Sequence, residues 1–385
     1  MERRIIGAKP SPGVVKTGRG WRPPLAPAPG TASPAQGPDP VPSVAAPAVR
    51  RLSVDAESAG QRLDNFLLRL LKGVPKTHVY RVIRSGEVRV NGGRAAADTR
   101  LVAGDEIRVP PVRVAQRDHV PPAPPRDFAL LMEDTHLLAI DKPAGLAVHG
   151  GSGVSFGVIE QLRQARSGAR FLELVHRLDR ETSGVLLVAC KRSALVHLQD
   201  QFRARGADKV VGKTYSALVV GDWPDTLKVL DKPLHKFLTP DGERRVRVTT
   251  AQDPEGAYAL TLVRVVQRLA GFTLLDVTIK TGRTHQIRVH LADAGHPIVG
   301  DDKYGDFTLN KRLARASGPG RLERMFLHAR RLRFVHPATG ETVELESALP
   351  ADCAGFLRSL QNPPRTDLTP YPAAIACESV AHAPP

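Results

Sequence analysis

Cysteine is scarce in this 385-residue chain: there are three, Cys190, Cys353 and Cys377. None stands in a C-x-x-C pair or at zinc-type spacing from histidine, which argues against a structural metal and against a disulfide framework. Aromatic residues are also few, at 5%, too few for a broad platform on which single-stranded bases would stack. No apolar run approaches the roughly 20 residues that a helix needs to cross a bilayer. The opening MERRIIGAKP has no apolar stretch of the signal-peptide kind. A soluble cytoplasmic protein without membrane association is expected. Acidic residues are outnumbered as well: Asp and Glu total 39 against 55 Lys and Arg, for a net charge of +16. That excess suits a polyanionic partner, because Lys and Arg replace counterions condensed on phosphate. A surplus carried by solvated tails is the plainer explanation.

Residues 1–50 are rich in Pro, Ala, Gly and Ser and show no hydrophobic period. Such a segment buries too little apolar surface to offset its ordering entropy, so disorder is expected there and over 362–385. Residues 51–110 differ. Leu63, Phe66, Leu67, Leu70 and Leu71 recur at helical spacing. A second helix should start near Pro75, turn Val79, Val82 and Ile83 inward and end at Gly86. Val88 and Val90 then alternate with charges up to Asn91-Gly92, which predicts a hairpin. Residues 111–126 are proline-rich and read as an extended linker. The second domain spans 127–361. Its apolar runs 137–140 and 185–189 read as buried strands, and 258–269 and 272–280 as a hairpin around Ala270-Gly271. Ser193 is placed to cap a helix carrying Leu195, Leu198 and Phe202 and ending at Gly206. The expected class is α+β: a mixed, largely antiparallel sheet flanked by helices, plus a small α+β module.

Four features carry candidate chemistry. The stretch 176–184, HRLDRETSG, puts five ionisable groups beside a buried strand. It reads either as a cleft-lining loop with Asp179 held by cations or as a solvated charged turn. The stretch 280–288, KTGRTHQIR, runs from a strand end through a glycine turn into a helix that Thr284 could cap. His285 and Arg288 should then share the face opposite Ile287, Leu291 and Ala294, near backbone N–H groups suited to phosphate. Tyr215 opens the apolar run 217–220 and says little alone. From Lys72 to Arg94 the small module bears Lys72, Lys76, Arg81, Arg84, Arg89 and Arg94 against one acid, Glu87, a surface suited to following phosphates.

These motifs together resemble a known family. HRLDRETSG resembles the catalytic motif of the RluA-type pseudouridine synthases, H-R-L-D-x-x-T-S-G, with Glu181 where many members have Asp. DKPAGLAVHGG, KTYSALVVG, KTGRTHQIRVHLADAGHPIVGDDKYG and FLHARRLRFVHP resemble further family motifs in their usual order along 127–340, and 59–110 resembles an S4 RNA-binding domain. The resemblance implies isomerisation of uridines in large-subunit (23S-type) ribosomal RNA, by a monomer that uses no cofactor or metal. It makes Asp179 the catalytic aspartate, Tyr215 the tyrosine against the target base, Arg288 the partner of the aspartate and Ile298 the apolar residue beneath the base. His176, Arg177, Arg180 and Arg283 are placed to grip the displaced backbone. Lys72, Lys76, Arg81, Arg84 and Arg89 are the expected RNA contacts of the small module. Two other classes are a non-catalytic S4-type RNA-binding protein on the same fold and a hydrolase. The latter needs a Ser or Cys nucleophile or a metal cluster, and no H-E-x-x-H occurs.

Overall fold

The leucine repeat of the small module forms helix α1, Leu63–Leu70, with Leu63, Phe66 and Leu67 on its buried face. The computed structural model describes residues 48–362 apart from 57, 72, 113–122, 152–155, 205 and 207–209. The expectations for residues 1–47, for 363–385, for most of the linker and for Lys72 fall outside those residues. Helix α2, Lys76–Arg84, starts after Pro75 and packs Val79, Val82 and Ile83 into one core with α1. Gly86, at φ +75°, follows its end as expected.

The expected hairpin is only partly present. Asn91 and Gly92 do turn with positive φ, 51° and 77°. A single Val90–Gly93 bridge forms across that turn. The module instead builds a three-stranded antiparallel sheet from β1 (Arg50–Ser53), β2 (Arg89–Val90) and β3 (Glu106–Val109), with β3 in the middle. Residues 94–100, RAAADTR, offer the core only the small, half-buried Ala95 and Ala97, whereas Ile107 and Val109 are almost fully buried. Burial therefore chooses the later strand as partner.

The larger domain is laid on a ten-stranded sheet. Its main path runs β4 (Leu130–Glu133), β5 (Leu137–Lys142), β7 (Ser183–Ala189), β14 (Leu327–Val335), β8 (Gly212–Val220), β13 (Phe272–Ile279), β12 (Thr261–Leu269) and β9 (Val229–Leu230). Strand β6 (Glu173–Leu174) adds to β7, and β15 (Thr342–Glu346) to β14. The β7–β14 pair is parallel and the rest are antiparallel. This is the mixed, largely antiparallel sheet expected. Strand β7 is buried at every residue, as its unbroken apolar run implies. A separate two-stranded hairpin joins β10 (Leu234–Leu238) to β11 (Arg244–Val248).

Helices cover both faces. Helices α3 (Val158–Ala165) and α5 (Gln286–Asp293) supply Val158, Ile159, Leu162, Ile287 and Leu291 to the main core. Helix α4 (Arg192–Arg203) packs Ala194, Leu195 and Leu198 against Val185 and Leu187 on the other side. Its N-cap is Lys191, so Ser193 lies inside the first turn instead of capping it, and the helix stops before Gly206. Helices α6 (Phe307–Arg315) and α7 (Ala351–Gln361) close a third cluster with Leu309, Cys353 and Phe356.

Candidate active site

The loop 175–182 delivers Asp179 from the sheet. It runs from β6 into β7, and each end is tied down. Thr182 N–H donates to Asp179 O at 3.1 Å, closing a tight turn. The Leu178 side chain is buried in the main core. Gly184 sits at φ +109°, and a Cβ there would lie 2.3 Å from Ala329 O, so glycine is what lets β14 run beside β7. Behind the loop, the fully buried Lys142 donates Nζ to Arg180 O (3.0 Å), Pro143 O (2.8 Å) and Leu146 O (2.7 Å). Burial pulls its pKa down to about 7. His176 accepts Leu187 N–H on Nε2 at 3.1 Å and stacks on Phe202. Burial, then the charge of Lys213, lowers its pKa, so it is neutral at pH 7 and is no cationic grip for a backbone.

Facing Asp179 is the segment 280–288. Gln286 holds it in shape: Oε1 accepts from Thr281 Oγ1 (2.7 Å) and Arg283 N–H (3.1 Å), while Nε2 donates to Leu260 O (3.0 Å) and Thr261 Oγ1 (2.9 Å). Thr284 does not cap α5. His285 holds the N-cap position in left-handed backbone, φ 52°. The expected outward basic face is also absent, because α5 is buried on nearly every side from Gln286 to Leu291.

Arg288 is 3% exposed and is gripped from beyond its own helix. Its Nε and Nη2 donate to the two Asp301 carboxylate oxygens at 2.6 Å each, and Nη2 also donates to Asp302 at 2.9 Å. Its Nη1 stands 3.7 Å from Asp179 Oδ2. Burial by itself would lower the Arg288 pKa, but the hydrogen bonds and charge of Asp301, with Asp179 and Asp302, raise it above the ordinary value. Asp301 is held below its ordinary value: burial pushes up, and Arg288 with the Lys303 and Tyr304 N–H groups pulls down further. Asp301 is thus the tight partner and Asp179 the looser one. Asp301 was missing from the sequence reading; the acidic pair 301–302 that follows the glycine at 300 was its available signal.

His285 adds a third group. Its Nε2 lies 4.0 Å from Asp179, and its Nδ1 is 2.9 Å from Tyr304 Oη. That hydroxyl also accepts Val246 N–H at 3.0 Å, so the Nδ1 side of the ring is anchored through Tyr304 to β11 and Nε2 faces Asp179. Tyr215, on β8, is 8% exposed, and burial, then the Asp179 charge, raises its pKa, so it stays a neutral phenol. Together Asp179, Tyr215, His285 and Arg288 line a cleft of about 660 Å³ with Leu178, Ile279, Ile287 and Leu327. Its volume is in the range of small-molecule and nucleotide sites.

A family model described as RNA pseudouridylate synthase matches residues 136–293, the span that holds Asp179, Tyr215 and Arg288. A model of the S4 domain matches 61–107. Ribosomal large subunit pseudouridine synthase C of Escherichia coli (strain K12) is 50% identical over 322 residues, 82% of this chain and 98% of that protein. The chain belongs to the RNA pseudouridylate synthase family. Proteins of the same name from Yersinia pestis and Pasteurella multocida (strain Pm70) are 51% and 48% identical, over 79% and 82% of this synthase and 93% and 94% of their own lengths.

Not every expected residue of the synthase reaches the cleft. Arg177 and Arg283 line it, the latter donating Nε to Tyr258 O at 3.0 Å. Arg180 does not; its Nε pairs with Glu181 at 2.7 Å. Ile298 does not line the cleft: it is fully buried in the main core and bridged to Val219 of β8. The apolar lining comes instead from Ile279, Ile287 and Leu327. In the small module Lys76, Arg81 and Arg84 are exposed on α2 and Arg89 is half-buried on β2. Tyr80 belongs to the fold, giving its hydroxyl to the buried Asp64 at 3.0 Å. Residues 153–157 spell G-x-S-x-G, the letters of a hydrolase nucleophile elbow. Ser155 lies outside the described residues, and the last described strand before the motif, β5, ends at Lys142.

Proposed function

We propose that this synthase isomerises uridines in large-subunit ribosomal RNA, with Asp179 as the catalytic carboxylate. The observation that carries the assignment is the placement of Asp179. Its side chain is 31% exposed, over an apolar floor, 3.7 Å from a guanidinium that Asp301 holds rigidly. The reaction breaks the C1′–N1 bond, turns the base and forms a C1′–C5 bond; C5 loses a proton and N1 gains one. Atoms and electrons balance within the nucleotide, so the isomerisation calls for no added group.

An ionised carboxylate beside C1′ either attacks it covalently or takes a proton from C2′, and both routes use Asp179 in the same charge state. Arg288, with Nη1 3.7 Å from Oδ2, orients the carboxylate. Tyr215 and the apolar lining pack against the freed base, and its neutral hydroxyl adds no competing charge. The target must leave its stack to enter, and Arg177 and Arg283 at the cleft supply phosphate contacts. An S4-type module over 51–110, joined through 111–126 to a catalytic domain over 127–361, brings Lys76, Arg81, Arg84 and Arg89 to the RNA. The synthase acts on this reading as a cytoplasmic monomer; no helix of the described residues is long and apolar enough to cross a membrane.

The test is tritium release from ribosomal RNA labelled at uridine C5. The unaltered chain should release it, and Asp179→Asn should not, while folding and RNA affinity change little. Activity of the variant within about tenfold of the parent would overturn the role of Asp179.

A further inference from the structure

Three arginines from separate parts of the chain converge on one turn. Arg69, in the last turn of α1, donates Nη2 to Ser58 Oγ at 3.0 Å. Arg100 donates Nη1 to Gly60 O at 2.8 Å. Arg192, the first residue of α4 in the larger domain, donates Nε to Ala59 O at 3.2 Å. The acceptors are consecutive residues, so the three guanidinium groups are gathered around a single tripeptide. Each has five N–H donors and gives one to the turn. Arg69 and Arg100 are exposed and Arg192 is half-buried. Burial, then the charges of Arg69 and Arg100, lowers the Arg192 pKa, though an arginine remains a cation at pH 7. Among the described residues two acids act on the cluster: Asp55 accepts Ser58 N–H at 2.7 Å and feels the charge of Arg69, and Glu173 pairs with Arg163 at 2.9 Å and acts on Arg192, so the three arginines keep a net positive charge.

Gathering like charges opposes folding unless an anion joins them, and arginine forks match phosphate oxygens in shape as well as charge. We propose that the turn 58–60, with Arg69, Arg100 and Arg192, is a seat for one RNA backbone phosphodiester at the junction of the small module and the larger domain. The proposal rests on the reading of this chain as acting on RNA. It is separate from the α2 surface, because here one phosphate is held by both parts of the chain at once. RNA seated there links the module to the catalytic domain, so a strand passing from one to the other is held at the crossing point as well as at its ends.

The experiment is filter binding of a ribosomal RNA fragment at a series of salt concentrations, with the full chain and with Arg69→Gln/Arg100→Gln/Arg192→Gln. Loss of one phosphate contact should flatten the salt slope by about 0.7–0.9 log units per log unit of salt. Affinity should fall about threefold or more at low salt and converge with the parent at high salt. Single-turnover tritium release at saturating protein should keep the parent's rate. An unchanged affinity and slope would overturn the proposal. So would a deficit of the same size at every salt, which marks arginines that merely prop the turn. If the triple variant fails to fold, the exposed Arg100 carries the test alone: Arg100→Glu should bind more weakly than Arg100→Gln at low salt, and equal binding by the two would refute the seat. Absence of tritium release by the unaltered chain would sink the isomerase reading and still leave the salt slopes to decide the seat.

Discussion

Replacing Arg288 with Met removes the charge at the centre of the site. The methionine keeps much of the apolar volume but strands Asp301, which is 1% exposed on its side chain. What remains to stabilise that carboxylate are the N–H groups of Lys303 at 2.8 Å and Tyr304 at 3.0 Å. Breaking a buried pair from one side costs about 3–5 kcal/mol, whereas an exposed pair contributes about 0–1 kcal/mol. The 3.7 Å approach to the partly exposed Asp179 belongs nearer the second class. The loss should therefore come from Asp301, and for a domain of this size it should lower the melting temperature by about 6–20 °C. Asp179→Asn should shift it little. Arg288→Met/Asp301→Leu, which removes both charges, should recover much of the stability and none of the activity.

Acid supplies a second check on the same pair. Asp301 titrates below its ordinary value when folded, so the unfolded chain takes up that proton first. The pair's contribution is complete above the unfolded carboxylate pKa of about 3.9 and is lost as pH falls through the lower folded value. The stability gap between parent and Arg288→Met should therefore narrow as the pH is taken down toward and below 4. Urea unfolding at several pH values, with tritium release at pH 7, measures all of this. An Arg288→Met chain as stable as the parent at pH 7 would refute the assignment of Asp301 as the tight partner.

Other outcomes follow from single features. Gly184→Ala should cost about 1–3 kcal/mol or more in chemical unfolding, from its positive φ and the 2.3 Å approach to Ala329 O; parent-like stability would show that β7 and β14 part readily. Lys76→Gln/Arg81→Gln/Arg84→Gln should weaken RNA binding and flatten its salt slope while single-turnover chemistry holds; an unchanged slope would make α2 a solvated face. Removing residues 1–47, which leaves β1 whole, should keep turnover at saturating RNA, with some loss of affinity at low salt; a large fall in turnover would give that segment a catalytic role.

Period and motif were legible without coordinates. The repeat at Leu63, Phe66 and Leu67 specifies α1, the unbroken run 185–189 specifies a strand buried on both faces, and Ala270-Gly271 marks the turn between β12 and β13. The motif around Asp179 was enough to place a carboxylate before a buried strand. Each of these depends on neighbours in the chain, which is where side-chain periodicity and turn chemistry act.

Partners were not legible. Nothing local distinguishes the strand that pairs with β2, and the Asn91-Gly92 turn pointed to the wrong one because burial of Ile107 and Val109 decides the ladder. Charge spacing on α5 pointed Arg288 outward, whereas Asp301 from a later segment folds over the helix and turns that guanidinium into a buried anchor. Ile298 and Ile287 are alike as apolar residues and both join the main core, yet only the second also lines the cleft, while the first is bridged to Val219. The sequence by itself determined the helices α1, α2 and α4, the strands β5, β7, β12 and β13, and which carboxylate stands at the loop before β7. The tertiary structure decided which charge meets which, because electrostatic pairing and desolvation depend on distances between segments remote in the chain.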